Sequence, residues 1–177
     1  MNETVNKLVI NFFGSPNSGK TVAATSLFAK LKKRHLDVVL VSEFAHEKVV
    51  EENSRALQNQ LYVFANQQYK IFCAHEHAHV VVTDSPILLA SVYNQKSNVA
   101  LQEVIVNQHR QYNNLNILME LDVDNPYSMV GRVHDLHESL SIQRQITSLM
   151  DSLSIPYLRY NESTEDEIVS IIISLLK

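Results

Sequence analysis

Glycine is nearly absent from this chain, and the places where it remains constrain the fold. Only three glycines occur among 177 residues, against a usual share of about 7%. Gly14 and Gly19 bracket the run Gly14-Ser15-Pro16-Asn17-Ser18-Gly19-Lys20-Thr21, and Gly131 stands directly before Arg132. Residues 14–21 fit the spacing G-x-x-x-x-G-K-[ST] at every fixed position. The context fits too: a buried strand is expected to run in over Lys7–Phe13, and a helix to run out over Thr21–Arg34. Backbone N–H groups of such a loop wrap a phosphate, which demands close approach and unusual dihedrals. The helix N-terminus adds partial positive charge. Lys20 would reach the terminal phosphates, and the Thr21 hydroxyl would bind Mg²⁺. The run therefore implies nucleotide binding, with Gly14, Ser15, Asn17, Ser18, Gly19, Lys20 and Thr21 as candidate contacts. It leaves the reaction open.

Hydrophobic patterning extends this strand–loop–helix unit along the chain. Asp37–Ser42, Val80–Thr83, Asn116–Leu121 and Pro156–Tyr160 read as four further strands, each a continuous apolar run. Helices are expected over Ala45 to about Arg55, Leu57–Ala78, Ile87–Tyr93, Val99–Tyr112, Asp135–Leu153 and Glu165–Leu176. In the longest of them Leu61, Phe64, Ala65, Gln68, Ile71 and Phe72 share a face. Continuous apolar strands alternating with helices predict an α/β fold, a five-stranded parallel sheet covered by helices on both faces. Prolines 16, 86, 126 and 156 fall at the predicted strand–loop junctions. One domain over residues 1–177 is the natural prior for this length.

Composition excludes several classes. No apolar run reaches the roughly 18 to 20 residues of a membrane span, and residues 1–5 lack the pattern of a signal peptide. Cys73 is the single cysteine, so no internal disulfide forms, and a reducing, cytoplasmic setting fits. The formal net charge of -4 gives no global footprint for nucleic acid. Lys30, Lys32, Lys33 and Arg34 are better read as cations at a helix C-terminus. His75, His77 and His79 alternate around Glu76, a spacing that suits metal only on a strand, whereas a helix end is expected there. Gln67, Gln68 and Tyr69 either line a pocket for a planar base or belong to an ordinary helix face.

In open parallel sheets, ligands bind beyond the carboxyl ends of the strands. Glu43 follows the second predicted strand, Asp84 the third, and Glu120 and Asp122 lie at the end of the fourth. Asp84 is open to two roles, a metal ligand or the N-cap of the next helix. Glu43 is open to proton transfer or to a plain loop position.

The loop, with Pro16 at its third place, resembles that of small nucleotide kinases. The resemblance to P-loop nucleoside and nucleotide kinases continues in short motifs along most of the chain. It implies ATP and Mg²⁺ as ligands. It implies that Asp84 holds Mg²⁺ with Thr21, and that Glu43 accepts or orients the proton of an attacking hydroxyl. Glu47, in a segment similar to one of ribosylnicotinamide kinases, could share that task. The same resemblance makes residues 125–138 a short lid, with Gly131 as hinge and Arg132 contacting the transferring phosphoryl group, joined by Arg144. Two features depart from the pattern: Ser85-Pro86 replaces the Arg-Ser that usually follows the strand-three acid, and the lid is poor in arginine.

The strand ends Ser42-Glu43-Phe44 and Thr83-Asp84-Ser85-Pro86 look most like those of small bacteriophage P-loop kinases. The favoured expectation is an ATP-dependent kinase acting on a hydroxyl of a nucleoside- or nucleotide-like acceptor, in the cytoplasm, or in the host cytoplasm if phage-encoded. Two alternatives stay open. One is a kinase of 5-hydroxymethyluracil in phage DNA, which would make DNA bearing a modified base the partner. The other is a partner-stimulated ATPase without a small acceptor. No membrane partner is expected, and the oligomeric state is open, a homodimer included.

Overall fold

The computed structural model describes residues 6–94, 98–120 and 136–177. Among them, five parallel strands form one sheet in the order β2-β3-β1-β4-β5. They are β1 (Leu8–Phe13), β2 (Val38–Val41), β3 (Val80–Thr83), β4 (Asn114–Leu118) and β5 (Leu158–Arg159). The helices are α1 (Lys20–Lys33), α2 (Phe44–Val50), α3 (Ser54–Gln58), α4 (Gln60–His77), α5 (Ala90–Tyr93), α6 (Val99–Arg110), α7 (Leu136–Ser152) and α8 (Glu165–Leu175). A short 3₁₀ turn at Ile87–Leu89 leads into α5. The expected α/β architecture is the one observed. Of the expected lid, Leu136–Glu138 belong to α7, and residues 125–135 lie outside the described residues.

The sheet is covered on both faces because its strands alternate two sets of apolar residues. Leu8, Ile10 and Phe12 of β1 face one layer, where α1 contributes Leu27 and Leu31, and α8 contributes Ile168 and Ile172. Val9 and Phe13 face the other, packed with Phe64 and Ile71 of α4, Ile105 of α6 and Ile146 of α7. Lys30 at the end of α1 reaches Glu165 at the start of α8, 2.6 Å away. No helix among the described residues is long and apolar enough to cross a membrane.

Two expectations are corrected. Strand β4 begins at Asn114 rather than Asn116, because its asparagines are paired inside the sheet face. Asn11 Nδ2 donates to Asn114 Oδ1 at 2.9 Å and to Asn116 Oδ1 at 3.2 Å. Asn114 Nδ2 donates to the His109 carbonyl at 2.6 Å, and Asn116 Nδ2 to the Pro156 carbonyl at 3.1 Å. A buried polar group costs little once it is bonded, so a polar pattern passes as strand.

The second correction concerns residues 44–77, which form three helices rather than two. Glu52, at φ 54°, takes the chain out of α2. The Asn53 and Asn59 side chains cap α3 and α4, accepting from the Ala56 and Tyr62 N–H groups. The buried face of α4 is Phe64, Gln67, Ile71 and Ala74, while Leu61 and Phe72 are 57% and 46% exposed. The helix is rotated so that Gln67, not Gln68, turns inward to accept the Phe44 N–H at 2.8 Å.

Asn11→Ala removes the donor shared by two side-chain carbonyl oxygens, that of the buried Asn116 and that of the half-buried Asn114. We expect it to destabilise the protein by about 2–3 kcal/mol, read as a lower denaturant midpoint at unchanged slope. A loss under ~0.5 kcal/mol would show that the asparagine ladder contributes little.

Candidate active site

Strand β1 delivers the chain into the loop at Gly14, where space is limiting. A Cβ at Gly14 would lie 3.0 Å from the Met119 Cβ, closer than van der Waals contact. Further on, Asn17 and Gly19 are left-handed, at φ 72° and 79°. Glycine adopts this region freely, and asparagine tolerates it better than most residues. Left-handed residues in a loop of this kind turn backbone N–H groups toward a common concavity that suits an anion. Gly19 is also the N-cap of α1, whose first turn carries no acid to compete for that anion.

Ser15 is the hub of the loop. Its carbonyl accepts from Lys20 Nζ at 2.8 Å, from Ser18 Oγ at 2.9 Å and from the Ser18 N–H at 3.3 Å. Its own N–H donates to Gln143 Oε1 at 2.8 Å. Both Ser15 and Ser18 are buried.

At the first turn of α1, the Thr21 hydroxyl donates to Asp84 Oδ2 at 2.6 Å. Asp84 is 5% exposed, and its Oδ1 has no hydrogen-bond partner among the described residues. An orphaned carboxylate oxygen beside a hydroxyl, at the end of a phosphate loop, is the hard-oxygen donor set that Mg²⁺ takes. These two residues therefore fit the cation. The N-cap role for Asp84 is not the one seen: Pro86 occupies the cap of the 3₁₀ turn, without a side-chain bond. Among the described residues, no three His, Cys, Asp or Glu side chains cluster as metal ligands.

Glu43 caps α2 without bonding its N–H groups. It lines a cavity of about 380 Å³ shared with Gly14, Pro16, Lys20, Ser85 and Tyr93. Val63, Phe64 and Leu89 make much of the remaining wall apolar. Partial burial and, second, the Glu43 carboxylate push the Tyr93 phenol up to about 12, although 36% of the residue stays exposed. Tyr93 thus keeps its proton at neutral pH. Gln67 also lines the cavity and is 4% exposed. Its Oε1 is committed to the Phe44 N–H, so its Nε2 is a donor, and that donor has no partner among the described residues.

Glu47 sits elsewhere. It pairs with Lys70 Nζ at 2.6 Å, and that contact first of all holds its carboxyl below the usual range. It is absent from the cavity wall. Arg144 is exposed, with its Nε bonded back to the Leu140 carbonyl at 3.3 Å, and is likewise not brought to the cavity. Glu120 is paired with Arg159 on the surface. Arg132, Gly131 and Asp122 lie outside the described residues.

Sequence reasoning missed Gln143. The signal was available: it lies four residues after the buried Ser139, beside Ile142 and Ile146 on the inward face of α7.

A family model described as an AAA domain matches residues 9–167. The chain belongs to this AAA-domain family. The match spans the phosphate loop, Glu43, Asp84 and Gln143 alike. Among solved structures, thymidylate kinase from Ehrlichia chaffeensis is similar, with a TM-score of 0.64 at 15% identity, covering 94% of this chain and 99% of that one. At that identity the likeness is one of fold, a P-loop NTPase sheet with flanking helices. A search among curated proteins finds no match.

For this AAA-domain chain, Asp84→Asn is expected to weaken Mg²⁺-dependent nucleotide binding about 10- to 100-fold and to leave binding in EDTA unchanged. Calorimetric titration with ATP, with and without Mg²⁺, reads the difference. Equal losses in both conditions would remove Asp84 from the metal site.

Proposed function

We propose that this protein is an ATP-dependent kinase, one domain over residues 1–177, that moves the γ-phosphoryl group onto a hydroxyl of a nucleoside- or nucleotide-like acceptor. One observation carries the reading. Glu43, a carboxylate not used as a helix cap, opens into the same cavity as Lys20 and Gly14 of the phosphate loop. A proton acceptor and a phosphate-binding lysine facing one partly apolar space fit a second substrate better than a water alone.

In this reading, Lys20 and the loop amides hold the nucleotide phosphates, and Thr21 and Asp84 hold Mg²⁺. When bound, the cation screens the phosphate charge. Glu43 takes the proton from the acceptor hydroxyl as its oxygen bonds to the γ-phosphorus. The bond from that phosphorus to the β–γ bridging oxygen breaks, and ADP leaves. The work of Glu43 is alignment and proton removal. Arg132 is the candidate to offset charge on the equatorial oxygens.

Gln67 and Tyr93 bear on the acceptor. Both residues border the cavity, Gln67 with a buried and unpartnered Nε2, Tyr93 with a phenol that stays protonated. They favour a planar group edged with carbonyl oxygens, as in thymine, uracil or nicotinamide.

Three experiments test this. Glu43→Gln is expected to lower kcat by about 10²- to 10⁴-fold with the KM for ATP within twofold. Labelled ATP offered with thymidine, thymidine monophosphate, nicotinamide riboside and 5-hydroxymethyluracil-containing duplex identifies the acceptor. Label in the duplex alone would replace the small-acceptor reading by the DNA reading. ATP hydrolysis stimulated only by a protein would defeat both. Gln67→Glu keeps an acceptor for the Phe44 N–H and replaces the donor. At pH 8 it is expected to raise the KM for a carbonyl-edged acceptor about tenfold. An unchanged acceptor KM would take Gln67 out of recognition.

A further inference from the structure

We propose that Gln143 is the positioning residue of the phosphate loop, tying α7 to the backbone on which Lys20 rests. The inference rests on the nucleotide-binding reading of residues 14–21 and goes beyond it to a residue 128 positions away in sequence.

The side-chain amide of Gln143 spans two backbone groups. Its Oε1 accepts the Ser15 N–H at 2.8 Å, and its Nε2 donates to the Met119 carbonyl at 2.7 Å. The orientation is forced, since a backbone N–H only donates and a carbonyl only accepts. Both partners support the loop. Met119 follows β4, and its N–H donates to the Phe13 carbonyl at 2.7 Å, which fixes it to the end of β1. Its side chain also backs both loop glycines, with Cβ positions 3.0 Å away at Gly14 and 3.8 Å away at Gly19. Ser15 carries Lys20 on its carbonyl.

Gln143 therefore closes a circuit of β1, Met119, α7 and Ser15. Two consequences follow. The Ser15 N–H is taken up by the protein, so the phosphate cradle is formed by amides further along the loop. The position of Lys20 also depends on α7, through the Ser15 backbone. A neutral amide suits this place because it donates and accepts at once and adds no charge beside the phosphates.

The experiment compares the parent protein with Gln143→Met, of similar length but with neither hydrogen bond, and with Gln143→Asn, one methylene too short to span both partners. Amide exchange at Ser15 is followed by NMR, and MgATP binding by calorimetry without any acceptor. We expect Ser15 exchange at least ~10-fold faster and the MgATP dissociation constant about tenfold higher, with Asn11 exchange in β1 unchanged. The Asn variant provides the same readout if the Met variant does not fold. MgATP affinity within twofold of the parent in a folded variant would overturn the proposal. So would faster exchange spread equally over Ser15 and β1, which marks general destabilisation. Since nucleotide binding is read without an acceptor, this result is independent of whether the protein proves to be a kinase.

Discussion

Everything in this fold is arranged around the carboxyl end of one buried strand. All six residues of β1 are buried, and the strand pairs in parallel with β3 on one side and β4 on the other. A strand so placed has no freedom to shift, because a slip of one residue would exchange its two apolar faces. Its last residue therefore fixes where Gly14 begins. The neighbouring strand ends then bring Asp84, from β3, and Met119, from β4, to either side of that point. The Thr21–Asp84 bond and the Gly14–Met119 contact both follow from this register.

Neutral amides do the joining inside the protein. The asparagine ladder of Asn11, Asn114 and Asn116 satisfies carbonyl and amide groups on the sheet face that also carries Val9, Phe13 and Leu118. Gln67 ties α4 to the start of α2, and Gln143 ties α7 to the loop. An ion pair in these positions would carry the desolvation cost of two charges and would add a field next to the phosphate site. An amide supplies direction at lower cost. Apart from the local bond of Asn114 to the His109 carbonyl, these amides join separate elements, so they fix tertiary placement more than local structure.

That division explains which features were legible in the sequence. Residues 14–21 were readable because phosphate geometry imposes a local spacing, and Asn17 and Gly19 meet it within a few residues of each other. Strands β1 and β3 were readable because burial of every residue leaves them almost wholly apolar, whereas in β4 Asn114 hid the start. The break at Asn59 was not read, since one side chain capping a new helix leaves no mark on apolar periodicity. Glu43 was read as the strand-end acid, with Glu47 left open to share its task. They separate only when α4 folds back, placing Lys70 against Glu47 and leaving Glu43 toward the cavity. The inward place of Gln143 on α7 left a mark in the sequence, but its partners did not, since they lie just after β4 and in the loop.

The two halves of the candidate site differ in what they demand of a ligand. In the kinase reading, the loop half combines backbone amides with Lys20, Thr21 and Asp84, which read phosphate charge and shape and are indifferent to the acceptor. The cavity half is side chain: an anion at Glu43, a donor at Gln67, and a phenol at Tyr93 whose proton the adjacent carboxylate helps to retain. In the kinase reading, an acceptor there would offer a carbonyl edge toward Gln67 and a hydroxyl toward Glu43, on a body apolar enough to lie against Val63, Phe64 and Leu89. A fully solvated polar ligand would leave the Gln67 donor or the apolar wall without a match. In the kinase reading, selectivity for the acceptor is thus expected to come from the cavity-facing side chains of α2, α4 and the Ser85–Tyr93 segment.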